Sequence, residues 1–426
     1  MSLRSIEHTH GGDGQAVAVT SIKRQGQTLW CGLTAGRHGL VPFDTGTGRF
    51  GEPVDIFPWV DERPQVVLSK IHNALDVLPD GRLVIGEGIL YTWDGLPFES
   101  GKNKGIDHIN GRRAVYGLPP LEAGTVGPKS LARFDMRCMS GGRILLYDPR
   151  THDVEVIGQL PLTTYAQSLI ADPKRLKAYG HTLGDCHFFV ADLQARTIED
   201  HGRISTFAFH NLVIAPDGLV FGAWIDMDFD NKLRVLRYDP AKGFLERLDD
   251  VYLDDPGPRV QGNRGIDQWL AHSSGKLYVG MAGNGRLYEF DPSALRLRDL
   301  GLAGAGGRVT CLVEDSLGRV VFSAGFPVMG VGRYDPATGR MEHFGPVTDR
   351  FEKIYFHGGV LVGDRLFLAE TDAGMASIWE VALPRAEYPA AAACLPEQLA
   401  QAGQPAVMAM AQSTPRIRPT KTSRRV

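Results

Sequence analysis

The sequence predicts an all-β protein, a seven-bladed β-propeller, because one short strand ending returns seven times. In each copy an apolar or aromatic residue and an acid close a strand, and from the second copy onward the copies lie 44 to 52 residues apart. Several short strands in every repeat of roughly 40–50 residues are typical of propeller blades. The endings are Phe43-Asp44, Tyr147-Asp148, Ala191-Asp192, Tyr238-Asp239, Phe290-Asp291, Tyr334-Asp335 and the degenerate Trp379-Glu380.

Turn residues between these endings support the same fold. Alternating β-branched and aromatic residues predict strands of about four to six residues. Pro-Asp-Gly at 216–218 and Asp-Pro-Ala-Thr-Gly at 335–339 are turn formers, in which Pro fixes φ, Asp caps the turn and Gly supplies a positive φ. A β-sandwich also has short strands, but the constant long period favours blades.

The repeats set the predicted domain limits. The propeller is predicted over residues 15–384, after an N-terminal segment 1–14. An insertion at about 89–140 lengthens the second repeat, and loops of this length are usually functional or disordered. After Pro384 the periodic pattern ends in an Ala- and Gln-rich stretch, so residues 385–426 are predicted to form a disordered tail.

Composition excludes several partners. The 426 residues carry a net charge of −3 and no basic stripe, which argues against a nucleic-acid partner. No apolar stretch reaches the length that a membrane span needs, and the polar N-terminus lacks a signal-peptide core, so a cytoplasmic protein is predicted. The cysteines are odd in number and lack paired spacing, which indicates reduced thiols: Cys31, Cys138, Cys186, Cys311 and Cys394.

Three histidines share one position in the repeat. His72, His210 and His357 each begin an innermost strand, and such strands line the axis of a propeller, so we expect the imidazoles to converge. Neutral imidazole is a good ligand for manganese, iron, zinc or nickel. The predicted metal ligands are His72, His210, His357 and Gln268, and the predicted cofactor is a divalent metal, manganese or calcium. In the alternative interpretation each imidazole only hydrogen-bonds a backbone carbonyl between blades.

Other polar and aromatic residues are expected on the same face. His181 and Trp224 end second strands, Tyr165 lies near the start of an innermost strand, and Trp93 belongs to the insertion. Cations just before innermost strands are suited to bind a carboxylate. The predicted catalytic residues are His72, His210, Tyr165 and His181. The predicted substrate-binding residues are Lys70, Trp93, Trp224, Arg264 and Arg308.

Several motifs give the chain a family resemblance. Lys70-Ile71-His72, Asp172-Pro173-Lys174-Arg175, His187-Phe188-Phe189-Val190 and the Tyr-Asp-Pro endings resemble seven-bladed propeller polysaccharide lyases, such as oligogalacturonate and rhamnose–glucuronate lyases, over roughly residues 60–384. The resemblance implies that axial histidines act with a metal and an arginine in β-elimination from uronic acids. One departure is Gly86-Glu87-Gly88, which stands where a second histidine is expected.

Three functions therefore remain open. The first is the lyase, acting on a small carbohydrate or another acidic small molecule. The second is a lactonase-like sugar hydrolase in which Glu87, Glu370 and Asp372 hold a divalent ion. The third is a propeller without catalytic activity that binds a carbohydrate or a protein partner on its axial face. The blade pattern alone does not choose between them, because one fold hosts many functions.

Overall fold

The fold is taken from a computed structural model of the chain. It describes residues 3–8, 18–34, 39–54, 56, 66–68, 71–88, 90–92, 141–161, 164–183, 186–206, 210–226, 230, 232–253, 265–304, 307–349, 353–371 and 376–384. The tail 385–426 and most of the insertion lie outside the described residues, as do Lys70, Trp93 and Arg264.

Seven four-stranded antiparallel sheets confirm the predicted seven-bladed propeller. Blade 1 is β2 (Ala18–Gln25), β3 (Thr28–Thr34), β4 (Leu40–Asp44) and β5 (Arg49–Phe50). Blade 2 is β7 (Leu75–Val77), β8 (Leu83–Gly86), β10 (Arg143–Asp148) and β11 (Asp153–Gln159). Blade 3 is β12 (Tyr165–Asp172), β13 (Lys177–Leu183), β14 (His187–Asp192) and β15 (Thr197–Arg203). Blade 4 is β16 (Val213–Ile214), β17 (Val220–Ile225), β18 (Leu233–Asp239) and β19 (Phe244–Tyr252).

The remaining blades repeat this order. Blade 5 is β20 (Ile266–Ala271), β21 (Leu277–Met281), β22 (Arg286–Asp291) and β23 (Arg296–Leu302). Blade 6 is β24 (Arg308–Glu314), β25 (Val320–Gly325), β26 (Gly330–Asp335) and β27 (Arg340–Pro346). Blade 7 is β28 (Tyr355–Val362), β29 (Arg365–Thr371), β30 (Ala376–Ala382) and β1 (Leu3–His8). The first-named strand of each blade packs beside its counterpart in the next, for example β20 with β24 and β24 with β28. These strands therefore line the axis.

The ring is closed by the N-terminus. Strand β1 pairs antiparallel with β30, from Leu3 opposite Val381 to His8 opposite Ala376, and so supplies the outer strand of the last blade. The propeller thus includes residues 3–8, ahead of the start at residue 15 that the repeats predict. At the base of the insertion, β6 (Val66–Leu68) pairs with β9 (Leu90–Thr92) as a separate two-stranded sheet.

The recurring aspartates at the strand ends have a structural role. Each one accepts hydrogen bonds from backbone N–H groups two or three residues later, as Asp239 does from Ala241 at 3.0 Å and Asp335 from Ala337 at 2.9 Å. The residue four positions after each aspartate has a positive φ, between 51° and 69°. These residues are Gly48, His152, Arg196, Gly243, Leu295 and Gly339. The motif from which we predicted the fold is therefore an Asp-capped turn.

Apolar layers between neighbouring blades form the core. Phe221 of blade 4 packs edge-on against Phe290 of blade 5 at a ring-centroid distance of 5.3 Å, and Leu366 and Trp379 of blade 7 pack with Val321 of blade 6. Burying side chains of this size stabilises a fold by about 1.5–3 kcal/mol each. No helix long and apolar enough to cross a membrane occurs in the described ranges. Since the core lies between blades, the axis is left for polar side chains.

Candidate metal centre

One residue of each blade occupies the same place at the start of the innermost strand. In blades 1, 3, 5, 6 and 7 the pairing register shifts there by one residue, a β-bulge, and bulges re-aim a side chain. The skipped residues are Thr20, Gln167, Asp267, Thr310 and His357. The matching positions in blades 2 and 4 are those of His72 and His210, just before β7 and β16.

The three imidazoles from blades 2, 4 and 7 meet. The ring centroids of His72 and His210 are 4.8 Å apart, those of His72 and His357 are 4.5 Å apart, and those of His210 and His357 are 4.9 Å apart. One candidate ligand atom from each ring lies within 4.8 Å of the other two. Residues up to 285 positions apart in sequence, His72 and His357, therefore form one cluster.

Two of the rings are oriented by backbone carbonyls of the next blade. Nδ1 of His72 lies 2.9 Å from the carbonyl oxygen of Gln167, and Nδ1 of His357 lies 3.1 Å from that of Thr20. A carbonyl oxygen only accepts, so Nδ1 carries the proton and Nε2 keeps its lone pair. One ring nitrogen therefore hydrogen-bonds a carbonyl while the other can bind a metal. The two interpretations that the sequence left open are thus compatible.

His210 has a charged partner instead. Its Nδ1 lies 2.7 Å from Oδ1 of Asp267, and Arg308 donates to the same carboxylate through Nε, at 2.6 Å from Oδ2, and through Nη2. Burial alone would raise the pKa of Asp267, but the charge of Arg308 and hydrogen bonds from Arg308 and His210 lower it to about 2. The guanidinium carbon of Arg308 lies 4.6 Å from the ring centre of Tyr355.

A fourth histidine adjoins the cluster. His181 ends the second strand of blade 3, is buried, and lies close enough to His210 for the two charges to interact. Burial, with a contribution from His210, lowers the pKa of His181 to about 3. The ring is therefore neutral at physiological pH.

The donor set fits a transition metal. Three imidazoles are nitrogen ligands of the kind that transition metals accept, whereas calcium takes oxygen ligands, so a transition metal fits this cluster better than calcium. The candidate ligand atoms of the three rings lie within 4.8 Å of one another, so His72, His210 and His357 would hold the ion together.

Three predicted residues lie near the cluster or in the core. Gln268 donates from Nε2 to the backbone carbonyl of His357 at 3.4 Å. Tyr165 is buried in an apolar cluster with Trp30 and Ile71. The buried ring of Trp224 lies 4.9 Å from the guanidinium of Arg234. The ligand, catalytic and substrate-binding roles of these three residues stay predictions.

The carboxylates of the hydrolase alternative are bound within their own blades. Glu87 accepts a hydrogen bond from the Arg143 backbone at 2.9 Å, and Glu370 accepts one from the Trp379 indole at 2.6 Å. Neither belongs to the ligand group that the described part of the chain forms, and Asp372 lies outside that part. Asp267 and Tyr355 were not among the predicted site residues, although Asp267 occupies the same repeat position as His210.

Comparison with known proteins supports the fold through solved structures, not through sequence similarity. No protein-family model matches the chain, and no curated protein matches it. Among solved structures, virginiamycin B lyase from Staphylococcus aureus superposes with a TM-score of 0.56 at 9% identity, over 89% of this chain and 99% of that one. A streptogramin B lyase gives 0.53 at 12% identity over 88% and 97%. An oligogalacturonate lyase in complex with manganese gives 0.50 at 11% identity over 90% and 97%. The class shown is a seven-bladed propeller whose structural neighbours include lyases.

Proposed function

We propose that the protein is a metal-dependent carbon–oxygen lyase that cleaves small uronic-acid-containing oligosaccharides by β-elimination. The observation that carries the proposal is the meeting of three imidazoles on the axis, each with Nδ1 hydrogen-bonded to a residue of the next blade. Structural neighbours that include lyases, one of them crystallised with manganese, are consistent with it at the level of the fold.

The charges around the three imidazoles indicate the class of substrate. Imidazole binds a metal ion as a neutral ligand, and the negative charge of Asp267 is balanced by the positive charge of Arg308. A divalent ion held here would keep its full positive charge, which favours an anionic ligand. A uronate carboxylate meets this requirement, and three ligands leave further coordination positions for it.

The reaction requires removal of the proton at C5 of the uronate, formation of a C4=C5 double bond and breaking of the C4–O bond, with a second acid–base group protonating the leaving oxygen. When bound, a divalent ion would neutralise the carboxylate and make the C5 proton more acidic. His181 is the candidate proton acceptor because its ring is neutral.

Metal content of the purified protein tests the centre. We expect about one equivalent of manganese per chain by inductively coupled plasma mass spectrometry after loading and desalting. His72→Ala, His210→Ala and His357→Ala should each lose it. His187→Ala is the matched control, because that ring pairs with Asp200 on the outer part of blade 3. Equal metal content in all four variants would contradict a metal centre at this cluster.

Activity is tested separately. Incubation with oligogalacturonates should produce new ultraviolet absorbance from the unsaturated product, whereas hydrolysis would produce none. Quinupristin, which was crystallised with a virginiamycin B lyase of similar fold, serves as a second substrate class. Saturable binding of an oligosaccharide without product would favour the binding propeller instead.

A further inference from the structure

The three imidazoles are not equivalent. His72 and His357 donate from Nδ1 to backbone carbonyls at the axial position of the next blade, those of Gln167 and Thr20. His210 also reaches the axial residue of the next blade, Asp267, but it contacts the side chain. A carboxylate therefore takes the place that a carbonyl oxygen has at the other two rings.

Asp267 is itself held in place. Its side chain is 2% exposed, and Arg308 of blade 6 donates to both of its oxygens. The face of Tyr355 in blade 7 packs against the guanidinium, and the Tyr355 ring lies 5.9 Å from that of His357. These contacts thus connect His210 to His357 through Asp267, Arg308 and Tyr355.

The hydrogen-bonding capacities determine which nitrogen of His210 holds the proton. Nη2 of Arg308 lies 3.1 Å from Nδ1 of His210, but a guanidinium only donates. The shorter contact, 2.7 Å to the carboxylate of Asp267, requires a proton on Nδ1. Of the two tautomers of the neutral ring, Asp267 and the guanidinium therefore favour the one that carries its proton on Nδ1.

We propose that Asp267 and Arg308 are positioning residues that fix His210 as the Nδ1–H tautomer beside His72 and His357. Arg308 orients the carboxylate by two hydrogen bonds and balances its charge, so that the pair adds no net charge to the centre. The tautomer assignment stands on the contacts alone, whereas its consequence for metal binding rests on the proposed function. Carboxylates that orient a metal-binding histidine typically change metal affinity by 10–100-fold.

The tautomer is measured first, on metal-free protein at constant pH. Long-range ¹H–¹⁵N NMR separates protonated from bare ring nitrogens, and the His210 signals are assigned as those lost in His210→Gln. We expect a protonated Nδ1 and a bare Nε2 in the wild type. Asp267→Ala, which removes the acceptor, should populate the Nε2–H tautomer. Asp267→Asn, which keeps the side-chain volume, should do so in part and replaces the alanine variant if that variant does not fold.

Metal affinity is measured next, by calorimetric titration with manganese. Asp267→Asn should bind about 10–100-fold more weakly than the wild type. Asp76→Asn is the matched control, since Asp76 also accepts a hydrogen bond across a blade boundary, from the Ala171 backbone at 2.9 Å. Its affinity should stay within about threefold of the wild type. Arg308→Lys keeps the charge but loses the paired donors, and its affinity should fall between those of Asp267→Asn and the wild type.

Two results would overturn the proposal. One is a His210 tautomer that is the same in the wild type and both Asp267 variants. The other is a loss of affinity in Asp267→Asn no larger than in Asp76→Asn. If the wild type binds no manganese, the proposed metal centre is wrong, and the tautomer measurement still decides the positioning role by itself.

Discussion

Replacing Asp267 with asparagine should destabilise the propeller by about 2–3 kcal/mol at pH 7. The pKa of Asp267 is about 2, against an ordinary value of 3.8, because Arg308 and His210 outweigh the effect of burial. A shift of this size corresponds to about 2 kcal/mol, since each pH unit is worth about 1.4 kcal/mol. Solvent screening does not reduce this free energy, because the carboxylate is buried.

The pH dependence follows from the sign of the shift. A carboxyl group whose pKa is lowered by folding stabilises the protein fully above its ordinary pKa of 3.8. This stabilisation is lost as the pH falls toward 2. The stability difference between wild type and Asp267→Asn should therefore be constant from pH 8 to about 5. It should shrink at lower pH for as long as the wild type stays folded.

Urea unfolding followed by tryptophan fluorescence measures this difference. Arg308→Gln and the double variant complete the cycle, and residues in such direct contact should show a coupling energy of about 1 kcal/mol or more. A loss below about 1 kcal/mol for Asp267→Asn at pH 7, or additive losses in the double variant, would show that the ion pair does not stabilise the fold as argued.

Three further predictions concern the turns, the closure and the metal. Arg196→Gly should raise the free energy of unfolding by about 0.5–1 kcal/mol, because Arg196 has a φ of 58° and its exposed ion pair contributes little. Gly243→Ala should lower the free energy of unfolding by about 1 kcal/mol through backbone strain alone, since an added Cβ meets nothing within 4 Å. Urea unfolding measures both variants, and a change of the same sign and size in the two would contradict the explanation. Deleting residues 1–8 should lower the melting temperature and promote aggregation in light scattering, because the deletion exposes the edge of β30. Manganese at about 100 times its Kd should add about 2.7 kcal/mol of stability, reversed by a chelator, and His72→Ala should abolish the effect.

The parts of the fold that the sequence predicted are those that local chemistry determines. Each strand-end aspartate caps a turn within its own five residues, as at Asp239 and Asp335, so its signal can be read without knowing the rest of the ring. The position of β1 could not be read in this way. Its partner, β30, lies at the other end of the propeller, and no turn marks the connection.

The site was predictable where repeats could be aligned and not where bulges shift the register. Aligning repeats brought out the three histidines, but the alignment fixed the neighbouring positions only to within a residue or two. The bulges place Gln167 and Asp267 at the axial position, beside the predicted Tyr165 and Gln268. A shift of one residue in a strand turns a side chain to the other face. The contact of Arg308 with Asp267 joins two blades, and no pattern within one repeat reports it.

His181 occupies a position that holds glycine in two other blades. Its counterparts on the second strands of blades 1 and 5 are Gly32 and Gly280. An added Cβ on Gly32 would lie 2.9 Å from Ile71, which precedes the first strand of blade 2, and one on Gly280 would lie 2.8 Å from Val309 of blade 6. In blade 3 the same position carries a buried imidazole that lies close enough to His210 for their charges to interact. The difference between otherwise similar blades thus places a fourth imidazole beside the three on the axis.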